Sequence, residues 1–177
     1  QASGEIDYED LEKTISVNRQ MPVIILANIG TTMTEARDDV AKMKAIFKNL
    51  AIQHHYIHAD GALAGSYAAF IEPRPAFDFA DGADSIAISG HKFLGSPIPC
   101  GMVIAKKNHR DRIARSIDYI GSLDTTISGS RNGHTPLILW YMISKLGIEG
   151  LKQRTMDCLD VAAYAEAALK QVEPLVW

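Results

Sequence analysis

The sequence predicts an α/β domain, built on a mostly parallel sheet with flanking helices, that runs into a helical segment. Residues 23–27 form a short continuous apolar run, which is typical of a strand buried on both faces of a parallel sheet. Further strands are predicted at 56–60 and 85–89, and a stretch with helical spacing at 34–50 lies between the first two strands. The order β-α-β-β-β followed by helices is that of an α/β domain.

The other elements follow from local signals. A short amphipathic helix is predicted at 7–19, before Pro22 starts the first strand. The helix at 34–50 is expected to begin at Thr34 as its N-cap, because acidic residues follow where the helix end is positive. A fourth strand at 101–106 is joined to the third by a link too short for a crossover helix, so it is expected to run antiparallel to the third. Two helices, at 136–146 and 150–172, end the chain.

Composition excludes several functional classes. The formal net charge is −3, which provides no basic field for nucleic acid or for an anionic membrane. No apolar stretch approaches the roughly 18 residues that a membrane span needs, and the polar opening residues do not form a secretory signal. Cys100 and Cys158 make neither a disulfide framework nor a metal knuckle and fit a reducing cytoplasm. We therefore expect a cytoplasmic protein with a small-molecule partner.

Polar residues follow three of the predicted strands. Ligands of open α/β sheets lie outside the carboxyl ends of the strands, which puts 28–32, 58–62 and 89–92 at one rim. Asp60 and Lys92 at two of these strand ends suit pyridoxal phosphate: a lysine forms a Schiff base with it, and a carboxylate keeps its ring nitrogen protonated. Ser89 and His91 are candidates for contacts with its phosphate.

Each residue alone also fits a simpler interpretation. Lys92 alone is typical of a solvated loop lysine, Asp60 of a cap on the segment that follows, and His58 of a satisfied histidine within a strand. A metal site is disfavoured, because His54 and His55 precede the second strand whereas His58 and Asp60 lie at its far end. No metal ligand is therefore assigned.

A segment rich in Ser, Thr and Gly occupies 122–131. Its composition resembles that of a phosphate-cradling loop, yet it lacks both the P-loop and the dinucleotide fingerprints. It fits a surface loop, and beside an active site such a loop can also serve as a lid.

The run Ser-Gly-His-Lys-Phe-Leu-Gly-Ser-Pro-Ile-Pro-Cys-Gly at 89–101 places Lys92 in a distinctive setting. It closely resembles the lysine segment of group II pyridoxal-phosphate decarboxylases, above all the bacterial histidine decarboxylases and the related plant serine decarboxylases. Three more strings resemble the family in the family's order, at 27–32, 57–63 and 126–134, as does the opening at 4–8. The resemblance spans nearly the entire chain.

The resemblance implies the aspartate-aminotransferase-like (type I) fold and a homodimer with active sites near the subunit interface. Residues 1–133 would be the C-terminal part of the large cofactor-binding domain, and 134–177 a helical connector towards a small C-terminal domain. The family's phosphate-binding loop and the histidine stacked on the cofactor would precede Gln1, and the small domain would follow Trp177. The chain would then correspond to about the middle half of such an enzyme.

The resemblance also implies roles for single residues. Lys92 would form the Schiff base, Asp60 would pair with the ring nitrogen, and Ala62 would pack on one face of the ring. Ser89 and His91 would help to hold the phosphate.

The remaining assignments concern the surroundings of the cofactor. His58 and Thr31, which lie in the matching strings, are assigned to cofactor binding, and Tyr119 is assigned as the residue that returns a proton to the reacting carbon. At Gly61 the relatives commonly have Ala or Cys, so looser packing is expected there.

The activity implied is decarboxylation of an L-amino acid, above all L-histidine to histamine and carbon dioxide. Decarboxylation of L-serine to ethanolamine and an inactive fragment that lacks the rest of the cofactor site remain alternatives. An aminotransferase is disfavoured by the long match to the decarboxylase lysine segment.

Overall fold

The structure, a computed structural model, describes residues 3–117, 121–125 and 131–172. The helices within these ranges are α1 (Tyr8–Val17), α2 (Val40–Asn49), α3 (Lys107–Ile113) and α4 (His134–Val172). The strands are β1 (Val23–Asn28), β2 (His55–Asp60), β3 (Ser85–Ser89), β4 (Gly101–Ala105), β5 (Arg115–Ile117) and β6 (Ser122–Asp124). Two short 3-10 turns, Ala64–Ser66 and Ala68–Phe70, follow β2.

The main sheet has four strands in the order β1-β2-β3-β4. The first three are parallel and β4 is antiparallel to β3, which confirms the predicted mostly parallel sheet and the direction of the fourth strand. A separate antiparallel pair joins β5 to β6, and β6 lies within the segment 122–131 that the sequence predicted as a loop rich in Ser, Thr and Gly. That interpretation is therefore wrong for residues 122–124, while 126–130 lie outside the described residues.

One face of the sheet carries the hydrophobic core. Alternate strand residues point to this face and are buried with the inner faces of α1 and α2 in a single cluster. Its members include Ile15, Ile25, Ala27, Val40, Met43, Phe47, Ile57, Ala59 and Ile86.

The opposite face, called here the open face, carries Ile24, Leu26, Asn28, His58, Asp60, Ala87 and Val103. Ile24 is 72% exposed, Leu26 61% and Val103 70%. The prediction that 23–27 is buried on both faces is therefore wrong for the described chain, because no described element covers Ile24 and Leu26 on the open face.

The helix predicted at 34–50 begins later than expected, at Val40, with Asp39 rather than Thr34 as its N-cap. The Asp39 side chain accepts the N–H of Lys42 at 3.0 Å. The preceding residues turn back to β1, because the Gly30 and Thr31 N–H groups both donate to the Ala36 carbonyl. These contacts occupy backbone groups that a helix would have used.

α4 is interrupted at Gly147, whose φ of +61° and ψ of −172° lie outside the helical region. A positive φ is readily adopted only by glycine, so the break falls where the sequence separates two helical stretches. In the part of the chain that the structure describes, no helix combines the length and the apolar character needed to cross a bilayer.

Candidate active site

The carboxyl ends of β1, β2 and β3 meet at one edge of the sheet. The register pairs Asn28 with Asp60 and Asp60 with Ala87, two residues before the end of β3. Side chains two apart on a strand share a face, so Ser89 lies on the same face as Ala87 and Asp60. The structure therefore confirms that the ends of these three strands lie side by side at one edge of the sheet.

Backbone hydrogen bonds draw the residues of this rim together. The Ala62 N–H donates to Asp60 Oδ1 at 3.1 Å, and the Ser89 N–H donates to the Ala62 carbonyl at 3.3 Å. Asp60 is half-buried, and among the described residues its Oδ2 accepts no hydrogen bond. Asp60, Ala62 and Ser89 thus form one compact group with a free carboxylate oxygen.

Lys92 lies just beyond this group in a tight segment, residues 90–95, which we call the lysine turn. The Gly90 N–H donates to the Cys100 carbonyl at 2.9 Å, and the Gly95 N–H donates to the Lys92 carbonyl at 3.0 Å. The Lys92 side chain is exposed, and no described residue provides its ammonium with a hydrogen bond or an ion pair. Its amine is therefore available for chemistry.

The glycines of the lysine turn are required by space and by backbone conformation. A Cβ at Gly90 would lie 2.6 Å from Cys100 Sγ and 2.7 Å from Leu139 Cδ2. Gly95 has a φ of +81°, which side-chain-bearing residues rarely adopt. The lysine turn therefore fits tightly between β4 and α4.

Gly61 is just as closely surrounded. A Cβ there would lie 2.8 Å from Gly65 Cα and 3.1 Å from the Ala87 carbonyl oxygen. The expectation of looser packing at Gly61 is therefore wrong, because neighbouring backbone fills the space of the absent side chain.

His91 is folded against the strand that follows it. The Cys100 N–H donates to His91 Nδ1 at 3.1 Å, and the same nitrogen lies 3.0 Å from the Cys100 carbonyl oxygen. In the neutral ring that accepts at Nδ1, Nε2 carries the proton. An exposed N–H donor is a suitable partner for phosphate.

His58 has a partner within the sheet. Its Nδ1 lies 2.6 Å from the hydroxyl oxygen of Ser85, which is at the opposite end of β3 from Ser89. This contact is the one expected of a satisfied histidine in a strand, and the role of His58 in cofactor binding stays a prediction.

The Thr31 side chain makes its hydrogen bonds within the loop that follows β1. Its hydroxyl oxygen accepts the Ala36 N–H at 3.0 Å and lies 2.9 Å from Thr34 Oγ1, so it closes the loop after β1. Tyr119, the predicted proton donor, lies outside the described residues. Both assignments to the site stay predictions.

Thr31 instead lines a cleft of about 520 Å³ between the loop 31–35, Tyr67, Phe93 and α4. The Tyr67 hydroxyl donates to a carboxylate oxygen of Glu35 at 2.6 Å. Burial is the larger cause and this hydrogen bond the second, and both raise the pKa of Tyr67. Burial would also raise the pKa of Glu35, but hydrogen bonds from Tyr67 and Arg37 outweigh it and lower that pKa. No sequence pattern marks Tyr67 as a site residue, whereas Phe93 lies within the string that contains Lys92.

The Asp60 group and the lysine turn fit the cofactor that the resemblance implies. Pyridoxal phosphate needs an unpaired primary amine, a carboxylate for its ring nitrogen and donors for its phosphate. Lys92, Asp60, and Ser89 with His91 supply these groups, and the small side chain of Ala62 leaves room for a ring. Among the described residues, no three His, Cys, Asp or Glu side chains are placed to hold a metal ion.

Comparison with known proteins connects this geometry to a family. The conserved domain of pyridoxal-dependent decarboxylases matches residues 1–175. The histidine decarboxylase of Mesorhizobium japonicum is 56% identical over 164 residues, which cover 93% of this chain and 44% of that protein. The histidine decarboxylase of Morganella morganii is 48% identical over 179 residues, covering 100% of this chain and 47% of that protein. The chain thus spans somewhat less than half the length of these two relatives.

Solved structures of two decarboxylases superpose on this chain. The L-methionine decarboxylase of Streptomyces sp. 590 superposes with a TM-score of 0.86 at 31% identity, covering 97% of this chain and 43% of that one. The glutamate decarboxylase of Lactobacillus brevis superposes with a TM-score of 0.74 at 27% identity, covering 84% of this chain and 35% of that one. The α/β fold and the assignment of pyridoxal phosphate as cofactor are confirmed, and the chain belongs to the pyridoxal-dependent decarboxylase family.

Proposed function

We propose that the enzyme containing this chain decarboxylates L-histidine and releases histamine and carbon dioxide. The observation that carries the proposal is Lys92, which has no partner among the described residues and closely follows Ser89 of the Asp60 group, in a chain 56% identical to a protein named histidine decarboxylase. The serine alternative has no comparable support, because the relatives cited above at 48–56% identity are named for histidine.

The cofactor supplies the electronic part of the reaction. When bound, pyridoxal phosphate offers an aldehyde that condenses with amines and a ring that accepts the electron pair left by carbon dioxide. Lys92 would anchor it and later receive it back as the product amine leaves. Ala62 would lie against the ring, while Ser89 and His91 Nε2 would donate to the phosphate.

Asp60 would act at the ring nitrogen. Its Oδ1 is tied to the Ala62 N–H, so the carboxylate has a fixed orientation before any ligand arrives. Its Oδ2 would hold a proton at the ring nitrogen, and the resulting positive charge favours electron uptake by the ring. Tyr119 remains our candidate for returning a proton to the substrate carbon, with Thr31 and His58 near the cofactor.

The organisation of the whole enzyme is part of the same proposal. We assign residues 1–133 to the large cofactor-binding domain and 134–177 to a helical connector towards a small C-terminal domain. We also propose that the enzyme is a homodimer. A cytoplasmic location is proposed too, and the free cysteines Cys100 and Cys158 of the described chain agree with a reducing compartment.

The test is Lys92→Ala in the intact enzyme. Turnover of L-histidine, measured as histamine formed, should fall by at least about a thousandfold because the anchoring amine is lost. Lys13→Ala removes an exposed lysine from α1 and is the matched control. Near-normal turnover by Lys92→Ala would refute the assignment, and ethanolamine from L-serine in place of histamine would refute the substrate.

A further inference from the structure

A single side chain of α4 contacts the backbone immediately after Lys92. Arg154 Nη1 donates to the Phe93 carbonyl at 3.2 Å and lies 3.4 Å from the Leu94 carbonyl, across 61 and 60 residues of sequence. Arg154 is half-buried, and Leu94 is 3% exposed. The two carbonyl groups that follow the cofactor lysine are therefore held by one guanidinium group.

The same guanidinium group also lies over a ring of the lysine turn. Its central carbon is 5.9 Å from the centroid of the Phe93 ring, within the range of a cation–π contact. The other neighbour of Phe93 is Tyr67, with ring centroids 5.1 Å apart. Phe93 is thus held between Arg154 and Tyr67.

The Lys92 ammonium, unlike the Phe93 ring, is not held by any described residue. Since no described residue provides its ammonium with a partner, the direction of its side chain depends on the backbone of the lysine turn. Arg154 fixes that backbone one and two residues away. A planar guanidinium group can donate from Nη1 and lie over the Phe93 ring at the same time, which an ammonium group does less well.

We infer that Arg154 is a positioning residue, which holds the lysine turn so that the Lys92 amine is presented to pyridoxal phosphate. This inference rests on the proposed role of Lys92. Arg154 acts on the cofactor only through Lys92, so removing it should weaken cofactor binding only while Lys92 is present.

The experiment is a double-mutant cycle on the intact enzyme with Arg154→Met, Lys92→Ala and both changes together. Pyridoxal phosphate affinity is measured by equilibrium dialysis, independently of activity. Arg154→Met should raise the Kd about tenfold with Lys92 present, which is the loss expected for a charge-assisted hydrogen bond. On the Lys92→Ala background the same change should alter the Kd by less than about twofold.

Two further variants control for charge and folding. Lys152→Met removes an exposed positive charge from the same helix and should leave the Kd unchanged. Arg154→Lys keeps the charge and a donor nitrogen but loses the planar group, so it should recover part of the affinity. It replaces Arg154→Met in the cycle if that variant does not fold.

The outcomes separate the inference from the proposed function. Equal weakening on both backgrounds would mean that Arg154 supports the fold in general, and no weakening would mean that it does not position the turn; either result overturns the inference alone. Unchanged affinity in Lys92→Ala would overturn the role of Lys92 and this inference with it.

Discussion

Asp60 shows how the backbone prepares a side chain for chemistry. The turn after β2 directs the Ala62 N–H at Asp60 Oδ1, so the carboxylate is oriented before a ligand binds. The same N–H could donate to a neutral amide oxygen at this position in place of the carboxylate oxygen. Orientation and charge at this position can therefore be changed separately.

Asp60→Asn tests the charge alone. The amide oxygen can still accept the Ala62 N–H, but the side chain can no longer keep a proton on the ring nitrogen. We expect kcat to fall by about a hundredfold or more, the usual scale for a lost proton-transfer or charge partner. The thermal midpoint should change little.

Steady-state kinetics with L-histidine on the intact enzyme give the measurement. Asp160→Asn, an exposed carboxylate on α4, is the control and should behave like wild type. If Asp60→Asn retained wild-type kcat, the ring-nitrogen role would have to be given to another residue.

The sequence made some single residues predictable and concealed others. The sequence predicts Lys92 and Asp60 as site residues because both stand at strand ends within recognisable strings. Arg154 was not found, because its contact with Phe93 joins residues 61 apart and no local pattern encodes it. Thr31 lay in a matching string, yet its hydroxyl closes its own loop.

At the scale of elements, α4 is the support on which the lysine turn rests. Leu139 approaches the turn beside Gly90, and Arg154 holds it at Phe93 and Leu94. These two contacts lie on opposite sides of the break at Gly147. Both halves of α4 therefore fix the segment that carries Lys92.

Gly90→Ala tests this packing. The new Cβ would meet Cys100 Sγ and Leu139 Cδ2 at less than 3.0 Å, so the neighbours must shift. We expect unfolding free energy to fall by about 1–3 kcal/mol, the usual cost of overpacking. Urea denaturation measures this loss, and the matched control is Gly133→Ala, where a Cβ would meet no described residue other than its chain neighbours within 4 Å.

Combining Gly90→Ala with Leu139→Ala sharpens this test. The truncated Leu139 makes room for part of the new methyl group, so the loss in the double variant should be smaller than the sum of the single losses. Strict additivity would show that Leu139 is not what restricts Gly90.

The elements themselves were largely predictable, and the main error has a physical cause. The helical spacing of Val40, Met43, Ile46, Phe47 and Leu50 correctly predicted α2, but its start was placed too early. Asp38 is 3% exposed and accepts the N–H groups of Ile6 and Asn28, each at 2.8 Å. Those partners lie 32 and 10 residues away, beyond the reach of a capping pattern.

At the scale of the molecule, one end of the sheet carries the candidate site and the other end stabilises the fold. The carboxyl ends carry the Asp60 group, while the opposite end is closed by Asp84, which is 7% exposed. Asp84 accepts the Ile57 N–H at 3.0 Å and Lys106 Nζ at 2.8 Å, and His109 Nε2 lies 3.4 Å from it. One carboxylate thus joins β2 to the elements that follow β3.

This junction makes the stability of the whole fold depend on pH. Burial raises the pKa of Asp84, but the contacts with Lys106, the Ile57 N–H and His109 outweigh it and lower the pKa. A carboxyl whose pKa is lower in the folded protein stabilises the fold above its unfolded pKa of about 3.9. That stabilisation is lost as the pH falls through the lower folded value.

Asp84→Asn should therefore cost about 1–3 kcal/mol of unfolding free energy at pH 7, as expected when a charge-assisted contact is lost. It should also flatten the acid limb of the stability curve, since the amide has no proton to gain below pH ~4. Urea unfolding at pH values from about 3 to 7 measures both effects, with exposed Asp160→Asn as the control. An acid limb as steep in Asp84→Asn as in wild type would place the titrating group elsewhere.

Because Asp84 lies at the opposite end of β3 from Ser89, cofactor affinity at pH 7 should stay close to the wild-type value in every molecule that remains folded.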